Sequence, residues 1–401
     1  MDGKMTYPKN VQKAISMICD AGYEAYVVGG AVRDGLLGRD CNDFDLTTSA
    51  LPEETARIFE DYRVIETGIK HGTVTVILDG EPMEITTYRV DGSYMDSRHP
   101  DGVTFTRSIN EDLARRDFTV NAMAHNPRLG LVDIFGGRED LAAGLIRAVG
   151  DPMRRFEEDA LRILRAFRFA SKLGFDIEEK TLAAARERKE LLRNISAERK
   201  TAELEGILLG KYVKKALELM KAAGVIEVVA PAFNLDKQRM DGIDSLPCDF
   251  VCRVSFCLIG GNDTDKYISS LRLSNAISSQ VRKLVSMGSE PLAAENDREL
   301  RRLMARAGDE LEYLIEIRRH LGQSTEGIGE RARAIRERGD CLYLSDLDVD
   351  GRALSELGIR GKSIGNTLSR LLEAVLDDPK LNRREWLLAE AARLNENGRE
   401  N

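Results

Sequence analysis

No stretch of this chain is both long and free of charge. The apolar segments near the N-terminus are interrupted by Asp20 and Glu24, so neither a secretory leader nor a membrane span is expected, and the cytoplasm is the expected compartment. The six cysteines, Cys19, Cys41, Cys248, Cys252, Cys257 and Cys341, include no C-x-x-C pair. Their scatter excludes a disulfide scaffold and reads as reduced thiols. Cys248, Cys252 and Cys257 cluster without a nearby histidine, so no zinc site is expected there. Net positive charge is also missing, since the formal charge is −8. By itself that argues against a nucleic-acid binder, but acidic and basic patches can segregate, so charge has to be read locally. No internal repeat or low-complexity tract stands out. What remains is an ordinary composition, 42% apolar and 31% charged over 401 residues, long enough for about two to four modules with separate cores.

The most informative stretch is residues 26–46, YVVGGAVRDGLLGRDCNDFDL. An apolar run meets Gly29 and Gly30, a helix-like segment follows, and the stretch closes on Asp43-Phe44-Asp45. Strand, turn, helix, strand is the natural reading. On a strand, Asp43 and Asp45 face the same side while Phe44 faces the core. Two such carboxylates make an all-oxygen site suited to Mg²⁺ and to phosphoryl transfer, although a bare D-x-D also fits a plain acidic surface. The glycines let backbone N–H groups approach a phosphate at a helix N-terminus, and Arg33 lies one turn further on. GG-x-x-R-D-x-L-L-G-R followed by N-D-F-D resembles the signature of the template-independent nucleotidyltransferases. Among these it is most similar to the class II, bacterial-type tRNA nucleotidyltransferases (CCA-adding enzymes) and the related bacterial poly(A) polymerases.

In chain order, residues 8–22 carry Val11, Ile15, Ile18 and Cys19 at helical spacing and stop at Gly22. A helix is expected over residues 53–61. Strands 73–78 and 83–88 flank Asp79-Gly80, a hairpin signal. Glu84, on the second strand, is either a solvated edge residue or, as the resemblance suggests, a third metal carboxylate. Residues 91–105, DGSYMDSRHPDGVTF, are polar and aperiodic and read as a mobile loop. The resemblance makes this the flexible loop of members that add the terminal A. In RRDFTVNAM, Arg115 and Arg116 suit a triphosphate, while Asp117 and Asn121 suit ribose hydroxyls and share a face if the segment is helical. Exposed arginines on an amphipathic helix would read the same way. VDIFGGREDL, residues 132–141, reads as a strand and turn closing the first domain and matches a further family block.

Asp151-Pro152 opens a helix, and MRRFEEDALRILRAFRFASKLGF continues it as one amphipathic run. At about 100° per residue, Glu158, Arg162 and Arg165 share a stripe with Asp159 beside it, and Arg168 is turned away from Arg162 by about 120°. Asp159 and Arg162 form a filter by hydrogen-bond arithmetic. Cytosine and adenine each present an amine donor beside a ring-nitrogen acceptor, whereas uracil and guanine present the reverse. A carboxylate takes the amine and a guanidinium feeds the ring nitrogen. The wrong base would leave buried groups unpaired, at about 1–3 kcal/mol each. E-E-D-x-x-R also fits a set of surface ion pairs, but it matches the family's nucleotide-selecting block. ISAERKTAEL, residues 195–204, resembles the last family block, with Lys200 where an apolar residue is usual.

From residue 205 on, the sequence is helical. KYVKKALELMK at 211–221 offers a basic face, and residues 298–338 carry Arg298, Arg301, Arg302, Arg306, Arg318, Arg319, Arg331, Arg333, Arg336 and Arg338. Such runs suit RNA phosphates or, given the interspersed glutamates, a solvated surface. In residues 348–377 two helices flank a glycine-rich turn, Gly358 to Gly365, with N–H groups suited to phosphate. The resemblance makes this the tail that holds the tRNA elbow. His71, His99, His125 and His320 form no H-D pair, so the histidine-aspartate hydrolase domain of some relatives is not expected.

The expected fold is therefore α+β: a nucleotidyltransferase-type α/β head with a mixed sheet, followed by an all-helical neck, body and tail, over residues 1–140, 141–205, 206–285 and 286–401. The expected activity is Mg²⁺-dependent addition of C, C and A to tRNA from CTP and ATP. Other activities of the same scaffold are A addition alone or poly(A) synthesis. The poly(A) branch carries a basic G-R-R/K-F block where this chain has ETGIKHGTVTV, which favours the tRNA branch. A non-catalytic RNA-binding protein of the same fold is the reading from another class, and Asp43 and Asp45 speak against it. The oligomeric state is not legible.

Overall fold

The computed structural model describes residues 5–65, 68–91, 103–290 and 294–397. They fall into two compact units, residues 1–231 with 270–272, and residues 232–269 with 273–401. Residues 92–102 of the glycine- and proline-bearing loop lie outside the described residues.

The first unit opens with α1 (Lys9–Asp20), which buries Val11, Ala14, Ile15 and Ile18. It stops as its sequence requires. Gly22 takes φ 92°, and the Tyr23 N–H bonds back to the Ile18 carbonyl, closing the helix with a left-handed glycine. There follow β1 (Ala25–Val28), α2 (Gly30–Leu36), β2 (Leu46–Thr48), α3 (Pro52–Ile58), β3 (Arg63–Ile65), β4 (Thr73–Leu78) and β5 (Glu81–Thr87). Asp79 at φ 53° and Gly80 at φ 88° make the tight β4–β5 turn expected of that dipeptide. Beyond them lie β6 (Arg89–Asp91), β7 (Val103–Phe105), α4 (Ile109–Ala114), β8 (Ala124–Asn126), β9 (Gly130–Val132) and α5 (Gly137–Ala143). Among the described residues the sheet runs β3-β4-β5-β2-β1-β8-β9. Only β2 and β5 pair in parallel, which makes the sheet mixed.

Several local expectations are corrected. Asp43-Phe44-Asp45 is not strand but the coil leading into β2, because the ladders of β2 to β1 and to β5 both end at Leu46. Phe44 is accordingly only half-buried. The segment at 117–121 is not one helix. α4 ends at Ala114, and a 3₁₀ turn covers Thr119–Asn121. After β9 the chain forms a helix rather than a turn, since the Asp133 carboxylate accepts the Gly137 and Arg138 N–H groups at 2.7 and 2.9 Å and caps α5.

After β10 (Leu145–Ile146), the expected long helix is two: α6 (Pro152–Glu158) and α7 (Leu161–Leu173). Asp159 is extended, at φ −144° and ψ 104°, and its carboxylate accepts the Leu161 N–H at 3.0 Å. A short side chain that bonds nearby backbone competes with helix continuation. β11 (Asp176–Ile177), α8 (Glu179–Arg188), α9 (Ala197–Leu208), α10 (Val213–Ala222) and α11 (Ile226–Val229) complete the unit. Where α7 packs on α9, a Cβ at Gly206 would stand 2.5 Å from Arg168 Cδ, so a larger residue there would displace that side chain.

The second unit is helical throughout its described residues: α12 (Lys237–Gly242), α13 (Phe250–Leu258), α14 (Thr264–Ser270, its last residue in the first unit), α15 (Asn275–Ser289), α16 (Asp297–Ala307), α17 (Leu311–His320), α18 (Ile328–Glu337), α19 (Gly351–Glu356), α20 (Lys362–Asp377) and α21 (Arg384–Asn397). Leu354, Leu371, Val375 and Leu387 centre the core of its last part. Two arginines of the expected RNA-facing run are instead buried. Arg301 donates to the Leu376 and Asp377 carbonyls at the end of α20, and Arg318 donates to the Met287 carbonyl and Gln323. Guanidinium forks here satisfy helix-end carbonyls, a use that charge counting does not reveal. Among the described residues no helix is long and apolar enough to cross a membrane.

Candidate active site

The site forms where β1 ends. Gly29 takes φ 66° and ψ −127°, a conformation open to glycine, and a Cβ there would lie 3.3 Å from Arg116 Nη1. The turn thus delivers the N-terminus of α2 and the Arg116 guanidinium to one place. Across it lie Asp43 and Asp45, held at the start of β2 by the Val28 N–H to Asp45 carbonyl bond of 3.1 Å. The parallel register pairs Leu46 with Ile85, so Glu84 stands one step before that pair, beside Asp45. Asp43, Asp45 and Glu84 line one cleft of about 660 Å³ with Asn10, Thr75 and Glu81.

The electrostatics of this cleft favour a cation. Asp45 keeps solvent access, yet the surrounding protein, and then the charges of Asp43 and Glu84, push its pKa up against the pull of Arg116. Among the described residues no three His, Cys, Asp or Glu side chains are gathered as a ready metal cage. Two carboxylates completed by substrate phosphates are the usual way to hold Mg²⁺, and crowded like charges of this kind fit a divalent ion.

The arginines divide into separate roles. Arg116 and Arg115 both reach Asp112, at 3.1 and 2.8 Å. Arg33 is only 3% exposed, and its Nη2 lies beside the glycine turn, 3.5 Å from where a Cβ on Gly30 would stand. It forks onto Asp34 at 3.0 and 2.9 Å and donates to Asn121 Oδ1 at 2.6 Å. Asn121 in turn donates to Asp117 at 3.3 Å, so the pair expected from sequence does meet, and Arg165 closes on Asp117 at 2.6 Å. Arg168 pairs with Glu203 at 2.8 Å, away from Arg162 as the helical geometry implies. Arg162 Nη1 bonds Glu158 at 2.7 Å and the Arg155 carbonyl, while Nη2 bonds the Arg115 carbonyl at 3.1 Å. The other oxygen of Asp159 faces Arg199 at 3.5 Å. The base-reading candidates therefore lie at the α6–α7 break, with Asp159 freed from the helix.

Several side chains that hold this arrangement were not singled out from sequence. Arg33, Arg165 and Arg168 lie 5.4, 5.6 and 5.2 Å from the Phe169 ring centre, a cation–π hub whose only sequence sign is an aromatic beside R-x-x-R. Asp112 sits three and four residues before Arg115 and Arg116, a helical ion-pair spacing that was there to be read. Burial alone would raise its carboxyl, but the charges of Arg116 and Arg115 and their hydrogen bonds hold it below its ordinary 3.8. Because the folded pKa is depressed, the stabilisation is present above the unfolded value and is lost as pH falls through the folded one. Asp112→Ala is expected to cost about 3 kcal/mol in urea denaturation at pH 7, since it strands two guanidinium groups. It should also raise the KM for nucleotide, and the stability gap from the unaltered protein should close in acid.

A mixed sheet that presents a glycine turn, an adjoining pair of carboxylates and converging arginines defines a nucleotidyltransferase head. Residues 25–147 match the "Poly A polymerase head domain", and residues 174–236 match the "Probable RNA and SrmB- binding site of polymerase A". The chain is 39% identical to the CCA-adding enzyme of Lactobacillus helveticus over 89% of its own length and 90% of that protein's. It is 36% identical to that of Bacillus velezensis over 92% and 94%. Its structure resembles the Bacillus stearothermophilus CCA-adding enzyme in complex with CTP with a TM-score of 0.81 and 30% identity, covering 98% of this chain and 100% of that one. The chain belongs to the family of CCA-adding enzymes, nucleotidyltransferases that use divalent metal ions.

Proposed function

We infer that this chain adds C, C and A in turn to the 3′ end of tRNA, drawing on CTP and ATP without a nucleic-acid template and releasing pyrophosphate. The observation that carries this reading is that one unit holds both the carboxylate pair beside the glycine turn and, at a break between helices, Asp159 and Arg162. Asp43 and Asp45 would hold Mg²⁺, with Glu84 beside them. When bound, the ion supplies the positive charge that favours ionisation of the RNA 3′-hydroxyl and offsets charge on the leaving pyrophosphate.

The chain's own groups supply the rest. The backbone at Gly30 and the Arg33 and Arg116 guanidinium groups receive the triphosphate. Arg33 also holds Asn121, and Asp117 and Asn121 address the ribose. Asp159 accepts the exocyclic amine of C or A, and the uncommitted N–H groups of Arg162 donate to the ring nitrogen. Glu158 anchors Arg162, and Arg165 and Arg168, set by Asp117 and Glu203, complete the nucleotide-binding group. Functionally we divide the chain into head (1–140), neck (141–205), body (206–285) and tail (286–401). The tail grips RNA at the turn before α20, where Gly361 offers no side-chain cap and the positive end of the helix dipole faces outward. The site of action would be the cytoplasm.

The test uses tRNA transcripts ending before CCA, after C and after CC, each with Mg²⁺ and with CTP, ATP or both, resolved to single nucleotides. Addition that stops after CCA is the expected result. Extension of the CC-ended transcript alone would mark an A-adding enzyme, and a long A tail a poly(A) polymerase.

A further inference from the structure

The carboxylate turn is held by little of its own backbone. Among the described residues, main-chain hydrogen bonds reach Arg39 on one side and Asp45 on the other, with none from residues 40–44. Within the turn, the Cys41 thiol donates to the Asp43 carbonyl at 3.1 Å. A turn whose two carboxylates must meet one cation therefore needs support from outside.

Tyr7 supplies it. Although it precedes the first helix, where chains usually fray, it is only 7% exposed. Its ring meets Phe44, the residue between the two carboxylates, edge-on at 5.9 Å and 86°. Its hydroxyl shares a 2.8 Å hydrogen bond with His125 Nδ1, and its carbonyl accepts from Gln12 Nε2 at 2.6 Å. His125 lies on β8 directly opposite Val27 of β1, the strand that leads into the glycine turn. One side chain thus ties the turn that carries the carboxylates to the strand that sets the phosphate-binding backbone.

We propose that Tyr7 is a positioning residue, holding Phe44 against the β1–β8 pair so that Asp43 and Asp45 present their carboxylates to the same cation. The inference rests on the assignment of Asp43 and Asp45 to the metal. A misplacement of about 1 Å at a reacting group can cost on the order of a hundredfold in rate, and the effect should appear in metal affinity and kcat rather than in nucleotide KM.

The experiment titrates the full chain with Mn²⁺ alone, followed by electron paramagnetic resonance, and separately measures kcat and KM for CTP on tRNA lacking CCA. The variants are Tyr7→Leu, which keeps volume but removes the ring and hydroxyl, Tyr7→Phe, which removes the hydroxyl alone, and Asp45→Ala. Tyr7→Leu is expected to weaken Mn²⁺ binding about tenfold and lower kcat about thirtyfold, with the KM for CTP within about threefold. Tyr7→Phe should fall between it and the unaltered chain, and it carries the test if Tyr7→Leu melts early. Mn²⁺ affinity and kcat within twofold of the unaltered chain in both Tyr7 variants, with binding lost in Asp45→Ala, would overturn the role of Tyr7 alone. Undiminished Mn²⁺ binding in Asp45→Ala would instead overturn the metal assignment and the Tyr7 inference with it.

Discussion

Asp45→Ala is expected to abolish nucleotide addition, with kcat falling by about a thousandfold or more, while the protein melts no earlier than its parent. The two halves of this expectation have one cause. Asp45 is crowded by surrounding protein and by the charges of Asp43 and Glu84, with Arg116 the opposing charge. Like charges brought together in the absence of a cation destabilise a fold, so removing one relieves repulsion. The same crowding is what makes the site attractive to a divalent ion. Active sites commonly trade stability for function in this way. Asp43 lies two residues further from the β2 ladder, and both carboxylates keep solvent access. Asp43→Ala should also stop the reaction. The check is single-nucleotide incorporation alongside a thermal melt. Activity surviving within tenfold of the parent would remove the carboxylate pair from the chemistry, whereas lost activity with an early melt would leave only a structural role.

How much of this site was legible in the sequence follows from the range of the forces involved. Gly29, Gly30, Asp43 and Asp45 were readable because they are neighbours along the chain and their residue types state a chemistry. The β4–β5 hairpin was readable because Asp79-Gly80 encodes its own turn. A mixed sheet was expected from the resemblance, but its strand order was not legible, since the pairing of β2 with β5 joins segments far apart in sequence. The break at Asp159 hid behind a clean helical periodicity. Its cause is a single side chain bonding the Leu161 N–H in place of the helix, a competition that a pattern of apolar residues does not register. Arg301 and Arg318 show the opposite failure. Their charge suggested phosphate ligands, but each satisfies buried backbone carbonyls, and only three-dimensional context separates an arginine that waits for a phosphate from one that has found a carbonyl.

Arg162 carries the second large expectation, and its several bonds make the choice of substitution matter. The residue is 8% exposed and ties α7 to the Arg115 and Arg155 carbonyls and to Glu158, so Arg162→Ala would strip both base reading and packing. Arg162→Gln retains an amide donor and much of the stem. It is expected to lower kcat/KM for CTP and ATP by about a hundredfold and to reduce the preference for CTP over UTP by about ten- to a hundredfold. These values correspond to the roughly 1–3 kcal/mol attached to a buried donor or acceptor left without its partner. Asp159→Asn should erode the same preference, because an amide can turn either its oxygen or its N–H₂ toward the base, whereas a carboxylate only accepts. Loss of rate with the CTP preference intact in both variants would show that the helix break shapes the pocket without reading the base. A collapse of preference in both, with the melt unchanged, would mean that the choice between nucleotides is made by two side chains whose positions depend on α6 ending where it does.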